Sequence, residues 1–212
     1  MRSHTVLALA LAVPFLALPM AAQQRPQLGV FGGINFAEFG GDDVSNVDTR
    51  TGVQAGLFAS FPLSSILAVQ PGVAYSQEGT SVDAGGGITG TFKLDYIQVP
   101  VLLKLSAPLQ ANSKLRPYVV AGPALGFEVR CKVRAEASGQ SAEADCDNSS
   151  VNFQTKSVLF GLHFGAGLEI SRLFLGVRYQ LGLTSIDDSG ANADVKNRVL
   201  AIVAGYGFRL GR

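Results

Sequence analysis

His163 and Glu169 stand six residues apart in VLFGLHFGAGLEI (158–170), and an imidazole beside a carboxylate is a common pairing for general acid–base work. The residues around them decide whether the two can meet. Phe160, Leu162, Phe164, Ala166, Leu168 and Ile170 alternate with Gly161, His163, Gly165, Gly167 and Glu169, which is the period of a strand with one hydrocarbon face. His163 and Glu169 share the other face, but a rise of about 3.3 Å per residue holds them roughly 20 Å apart along it. Direct proton transfer is therefore excluded, and a hydrogen-bonded histidine fits better than a catalytic one. An acyl hydrolase built on such a wall would want His-x-Ser, and the third position here is Gly165.

Cys131 and Cys146, the two cysteines of the chain, bracket KVRAEASGQSAEAD. In an oxidising compartment they are expected to form a disulfide; a metal site would need further ligands, and no histidine lies near them in sequence. The glycine-rich AGGGITG (84–90) precedes no helical pattern and so is no phosphate cradle. The acidic segments GGDDVSNVD and IDDSGANAD lack the spacing of a calcium loop and read as solvated connections. No metal and no cofactor is expected.

The elements that must position these residues are strands throughout. LGVFGGINF, GVQAGLFASF, LAVQPGVAYSQ, LDYIQVPVLLKL, YVVAGPALGFEVR, LFLGVRYQLGL and LAIVAGYGFRL repeat the alternation of 158–170, giving about eight strands near the length of a tilted membrane strand. The opposing faces carry Gln54, Gln70, Gln98, Lys104, Glu128, His163, Glu169, Arg178 and Gln180 among many glycines. Such groups would be ruinous in the dry core of a soluble sandwich. They suit the interior of a narrow barrel whose hydrocarbon faces lipid. The expected fold is all-β: an eight-stranded antiparallel up-and-down transmembrane β-barrel. Lys104, Glu128, His163, Glu169 and Arg178 are expected to form a polar network in its lumen, with opposite charges paired so that they plug it. Pro71, Pro100 and Pro123 fall inside these strands and predict bulges or gaps.

The connections differ at the two ends. Segments 37–50, 77–91, 131–157 and 184–197 are long and polar, whereas 62–66 and 171–172 are short; this asymmetry places the former outside the cell and the latter in the periplasm. The connection 106–117 is long for a periplasmic turn. At the start of the chain, Arg2, an apolar run from Thr5 to Met20 and the small Ala21-Ala22 read as a signal peptide over 1–22, leaving 23–212 as the barrel domain. Loss of Arg2 takes the 17 Lys+Arg to 16, equal to the 16 Asp+Glu. A neutral chain has no basic field for nucleic acid.

GVFGGINF, VQPGVAYSQEG, LDYIQVPVLLKL, RPYVVAGPALGF, FGAGLEI and GVRYQLGL resemble the PorT-like outer-membrane β-barrel family. In that family a strand of the form Tyr-x-x-Ile, a Pro-Leu-Leu-x-Lys pattern and a following Tyr-x-x-x-Gly-Pro are typical. The resemblance implies an eight-stranded barrel in the bacterial outer membrane, of a kind whose roles are mostly unassigned and in part linked to protein secretion. Together with the residues above, it predicts a monomeric structural or interaction barrel rather than a catalyst, acting through its extracellular loops. Its expected partners are outer-membrane lipid, the barrel-assembly machinery and an extracellular or periplasmic protein. A small-solute channel is the alternative, and an outer-membrane lipid-modifying enzyme a more distant one.

Overall fold

The computed structural model describes residues 25–41, 47–108, 114–146, 155–186 and 195–209, apart from the side chains of Ala84 and Arg209. The signal peptide expected over 1–22 lies outside the described residues. Among the described residues nine strands run in chain order: β1 (Gln27–Gly40), β2 (Val47–Pro62), β3 (Leu67–Gly85), β4 (Ile88–Ser106), β5 (Leu115–Ala137), β6 (Gln140–Asp145), β7 (Val158–Ile170), β8 (Leu173–Gly182) and β9 (Lys196–Arg209). Every pairing is antiparallel, and each strand of the barrel pairs with its neighbours in the wall. β1 closes against β9, from Gln27 opposite Arg209 to Gly40 opposite Lys196. The result is a closed, up-and-down ring of eight strands, with β6 outside it, paired to the far end of β5.

Closure removes the free edges that an open sheet would expose, and the alternation does the rest. Leu28, Val30, Ile34, Val53, Leu57, Val101, Leu103, Val119, Phe164, Leu175 and Ile202 all point outward and are 42–58% exposed. That belt is the hydrocarbon face read from the sequence, and it surrounds the barrel where lipid would lie.

Two segments expected as loops are strand. β3 runs to Gly85 and β4 starts at Ile88 across a turn in which Gly85, Gly86 and Gly87 all have φ between 65° and 79°, a region that glycine enters freely. β5 likewise continues to Ala137 and turns through Ser138-Gly139 into β6. Apart from Ile88, Phe92 and Val133 their residues are mostly polar or small, so regular hydrophobic alternation stops where the strands leave the membrane, although backbone pairing does not. Of the expected bulges or gaps, no bulge forms at the prolines: at Pro71, Pro100 and Pro123 the register runs through unshifted (Pro71 opposite Val101, Pro100 opposite Ala124, Pro123 opposite Leu162). The ladders beside the first two proline pairs skip two residues before resuming at Ala74 opposite Gln98 and at Leu103 opposite Ala121, as a missing N–H allows. The bulge in β5 lies elsewhere, between Glu128 and Arg130, where Tyr96 pairs with Glu128 but Asp95 with Arg130.

Candidate functional site: the barrel interior

The interior is built in layers, and glycines make room for them. Near the short-turn end, Phe31, Tyr118, Val120, Leu102, Phe174 and Val203 form an apolar cluster with Phe58 packed against it. The rings of Phe58 and Phe174 meet edge-on at 5.7 Å, and those of Tyr118 and Phe174 at 6.5 Å, an arrangement that aromatic quadrupoles favour. A Cβ at Gly29 would run into the Phe58 ring, and one at Gly167 or Gly176 would lie 2.6 or 2.7 Å from the Tyr118 hydroxyl. The glycine face of the wall is thus the seat of an aromatic plug. A lumen lined by glycine and polar groups alone is what alternation predicts; the inward Phe31, Phe58 and Phe174 correct that, because the outward apolar residues beside them hide their parity.

Above the plug lies a polar layer. Asn35 Nδ2 donates to Ser76 Oγ at 3.0 Å, Ser76 Oγ to Glu78 Oε1 at 3.0 Å, and Gln98 Nε2 to both Glu78 Oε1 at 2.5 Å and Gln180 Oε1 at 2.7 Å. Glu78, Gln98, His163 and Gln180 share the lining of a cavity of about 40 Å³, room for a single water by volume. A second apolar cluster closes the layer on its outer side, made of Phe39, Leu94, Tyr96, Leu159, Ile186 and the two cysteines. The polar groups therefore sit between two hydrophobic seals.

Each residue of the expected network has a definite place. Lys104 pairs with Glu169 below the plug and lies 4.8 Å from the Tyr118 ring centre. His163 is buried in the polar layer, and the structure does not bring it to Glu169. Glu128 accepts a hydrogen bond from Thr155 Oγ1 at 2.8 Å, at the outer side. Arg178 stacks on Phe31 at 4.6 Å from the ring centre, and its Nε is buried without a hydrogen-bond partner among the described residues. The expected pairing of all four charges is not formed: Glu128 lies near the end of the ring with long connections, whereas Arg178 packs against the plug. Of the four charges, only Lys104 and Glu169 meet.

Sequence reasoning missed Glu78, which is 3% exposed and holds the centre of the polar layer. It fell in a segment assigned to a loop, yet Ser76, Glu78 and Thr80 continue the inward parity of Gln70, a signal that was readable. Arg130 shares the sequence parity of Glu128, which would turn it inward. The bulge turns it out to 61% side-chain exposure, 3.8 Å from Asp95 Oδ2, and turns Cys131 in. Cys131 and Cys146 are joined by a disulfide, with their Cα atoms 5.4 Å apart. Beyond it, Glu143 of β6 receives Lys93 at 2.6 Å and Lys132 at 3.0 Å. These two lysines, Lys93 first, hold the Glu143 carboxyl down at about 2, well below the usual carboxylate value.

The space below the plug is an open vestibule of about 260 Å³, lined by Lys104, Glu169, Lys114, Arg116 and several serines. Arg116 ties its two neighbouring connections together: Nε donates to the Ala107 carbonyl at 3.0 Å and Nη2 to that of Ser65.

No curated protein matches this chain. Among solved structures it is similar to Ail, the attachment invasion locus protein of Yersinia pestis, at 17% identity over 87% of this chain and 100% of that one, with a TM-score of 0.44. It is also similar to Neisserial surface protein A (14% identity, 84% and 96% covered, TM-score 0.47) and to OprG of Pseudomonas aeruginosa (15%, 87% and 97%, 0.46). The family model described as outer membrane protein beta-barrel domain matches residues 21–188. With a closed eight-stranded ring, an apolar outer belt and that match over most of its length, the chain belongs to the outer-membrane β-barrel domain family and is a protein of the bacterial outer membrane.

Proposed function

We propose that this barrel is a closed structural or interaction element of the PorT-like kind, which presents its long hairpins outside the cell and carries out no catalysis. The observation that supports this best is the filling of the interior at two levels: the Phe31–Phe58–Tyr118–Phe174 plug below and the Phe39–Leu94–Tyr96–Ile186 cluster above stand between the two mouths. A solute channel needs a continuous polar path, and the cavity of about 40 Å³ between the seals is too small to serve as one. His163, the imidazole candidate for acid–base work, is walled into that layer and has no nucleophile at Gly165. At the outer end, β3–β4 and the disulfide-clamped β5–β6 hairpin extend past the belt and are accessible. The expected partner is a protein on that side, while the barrel-assembly machinery and surrounding lipid see the wall.

Planar-bilayer recording tests the reading. The purified barrel gives no steady single-channel conductance; steady conductance that is lost when the lumen is blocked would replace the structural role with a channel. Epitopes test the direction: a tag within 135–142 is accessible on intact cells and one at 171–172 is not, and the reverse labelling would invert the barrel.

A further inference from the structure

The two ends of the barrel differ in charge, and the short-turn end is almost free of acid. Arg25, Lys104, Lys114, Arg116, Arg172 and the strand-terminal Arg209 all lie there, and among the described residues the only carboxylate with them is Glu169, already paired with Lys104. The other end carries Glu38, Asp48, Asp83, Glu136, Glu143 and Asp145, and there Lys93, Lys132 and Arg134 are engaged by acids of the same sheet. The chain is neutral as a whole once Arg2 is set aside, so the excess of cations at one mouth is an asymmetry of placement rather than of composition. It arises because consecutive strands reverse direction, which gathers four sequence-distant segments at one rim.

We propose that this rim is a binding collar for the anionic phospholipid headgroups of the periplasmic leaflet; the assignment of side rests on the orientation proposed above. Its position favours lipid over a soluble anion. Arg172 is exposed and donates to the Tyr206 hydroxyl at 3.2 Å, Tyr206 packs on Phe208 at 4.8 Å, and the neighbouring Leu173 and Phe208 are outward members of the apolar belt, 60% and 47% exposed. A cation and a tyrosine hydroxyl directly beyond a hydrocarbon surface stand at headgroup depth, where aromatic and basic residues anchor a membrane protein. Lys114, beside the exposed Leu115, repeats the arrangement at the start of β5. Among the described residues, no carboxylate lies in ion-pair range of Arg25, Lys114 or Arg172, so a lipid phosphate would supply the missing counter-charge.

The test refolds the full barrel into vesicles of phosphatidylcholine alone and into vesicles with a third of that lipid replaced by phosphatidylglycerol; the lipid occupies both leaflets, so the direction of insertion does not matter. Phosphatidylglycerol is expected to raise the thermal midpoint by several degrees. At least half of that increment should vanish in high salt and in the triple variant Lys114→Gln, Arg172→Gln, Arg209→Gln, whereas Lys93→Gln with Lys132→Gln at the other end should keep it. If the triple variant fails to give a heat-modifiable folded band, Arg172→Gln alone should lose a measurable part. Equal midpoints in the two vesicles, or an increment that survives the rim substitutions, would overturn the collar. Soluble polyglutamate raising the midpoint in phosphatidylcholine, with phosphatidylglycerol inert, would assign the rim to a carboxylate polymer and overturn it as well. Because none of these readouts depends on which mouth faces the periplasm, they fail or succeed independently of the epitope experiment.

Discussion

At the scale of the residue, the interior works by pairing absent side chains with large ones. The three atoms nearest the place a Cβ at Gly29 would fill all belong to the Phe58 ring, so Gly29→Ala forces the ring out of the plug, at a cost of about 1–3 kcal/mol typical of overpacking. Thermal unfolding in detergent should show that loss, and Phe58→Leu should recover part of it in the Gly29→Ala background; additive losses would show that the two positions do not share the space. Charge at the outer end obeys the same local logic. Glu143 has its carboxyl depressed to about 2 by Lys93 and Lys132. A depressed acid contributes stability that is complete above its ordinary value near 4.5 and is lost as pH falls towards the folded one. The protection factors of the amides across Gln140–Asp145, taken relative to intrinsic exchange at each pH, should therefore fall between about pH 4.5 and 2, and this window should disappear in Glu143→Gln.

At the scale of the element, β5 does two jobs with one strand. Its first half is barrel wall, and its second half, past the bulge at Glu128–Arg130, pairs with β4 on one side and β6 on the other. The bulge inverts facing from that point, which is why Cys131 joins the upper seal and Arg130 leaves the lumen. Cys131–Cys146 closes a loop with a sequence separation of 15, worth about 3 kcal/mol in the chain-entropy account. Replacing both cysteines by serine should loosen β6 and lower the protection of its amides, while the transition of the wall, held by ring closure, moves less. A collapse of the whole ring in that variant would mean that the hairpin is part of the barrel's folding unit.

At the scale of the molecule, the seals and the charge polarity act together. An eight-stranded ring leaves an interior only wide enough for its own side chains, and here that interior is filled at two levels. Removing the lower seal alone, by Phe58→Ala with Phe174→Ala, should destabilise the barrel by several kcal/mol through cavity formation yet still give no steady conductance, because Phe39, Leu94 and Tyr96 remain above it. Conductance in that double variant would show that the upper cluster is not a barrier. Glu78, held by Gln98 in the polar layer, and Arg178, stacked on Phe31 at the plug, are both buried, and no ion pair joins them among the described residues.

The class of fold, the face turned to lipid and the short turns were legible in the sequence, because a period of two needs only neighbouring residues to be read and the membrane imposes it over whole strands. Lys104 and Glu169 could be nominated for the same reason: both have the inward parity. Which inward residues meet was not legible. Lys104 finds Glu169, Arg178 stacks on Phe31, and Glu78 takes the centre of the layer. These contacts depend on the stagger between strands distant in sequence, which periodicity does not specify. A one-residue bulge was enough to turn Arg130 out and Cys131 in, and the polar hairpin beyond it carries no hydrophobic alternation to betray its strands. Ring closure, register and the fit of aromatic rings over glycines are decided only when all eight strands are in place, since each is a contact between segments that the chain alone leaves free to slide.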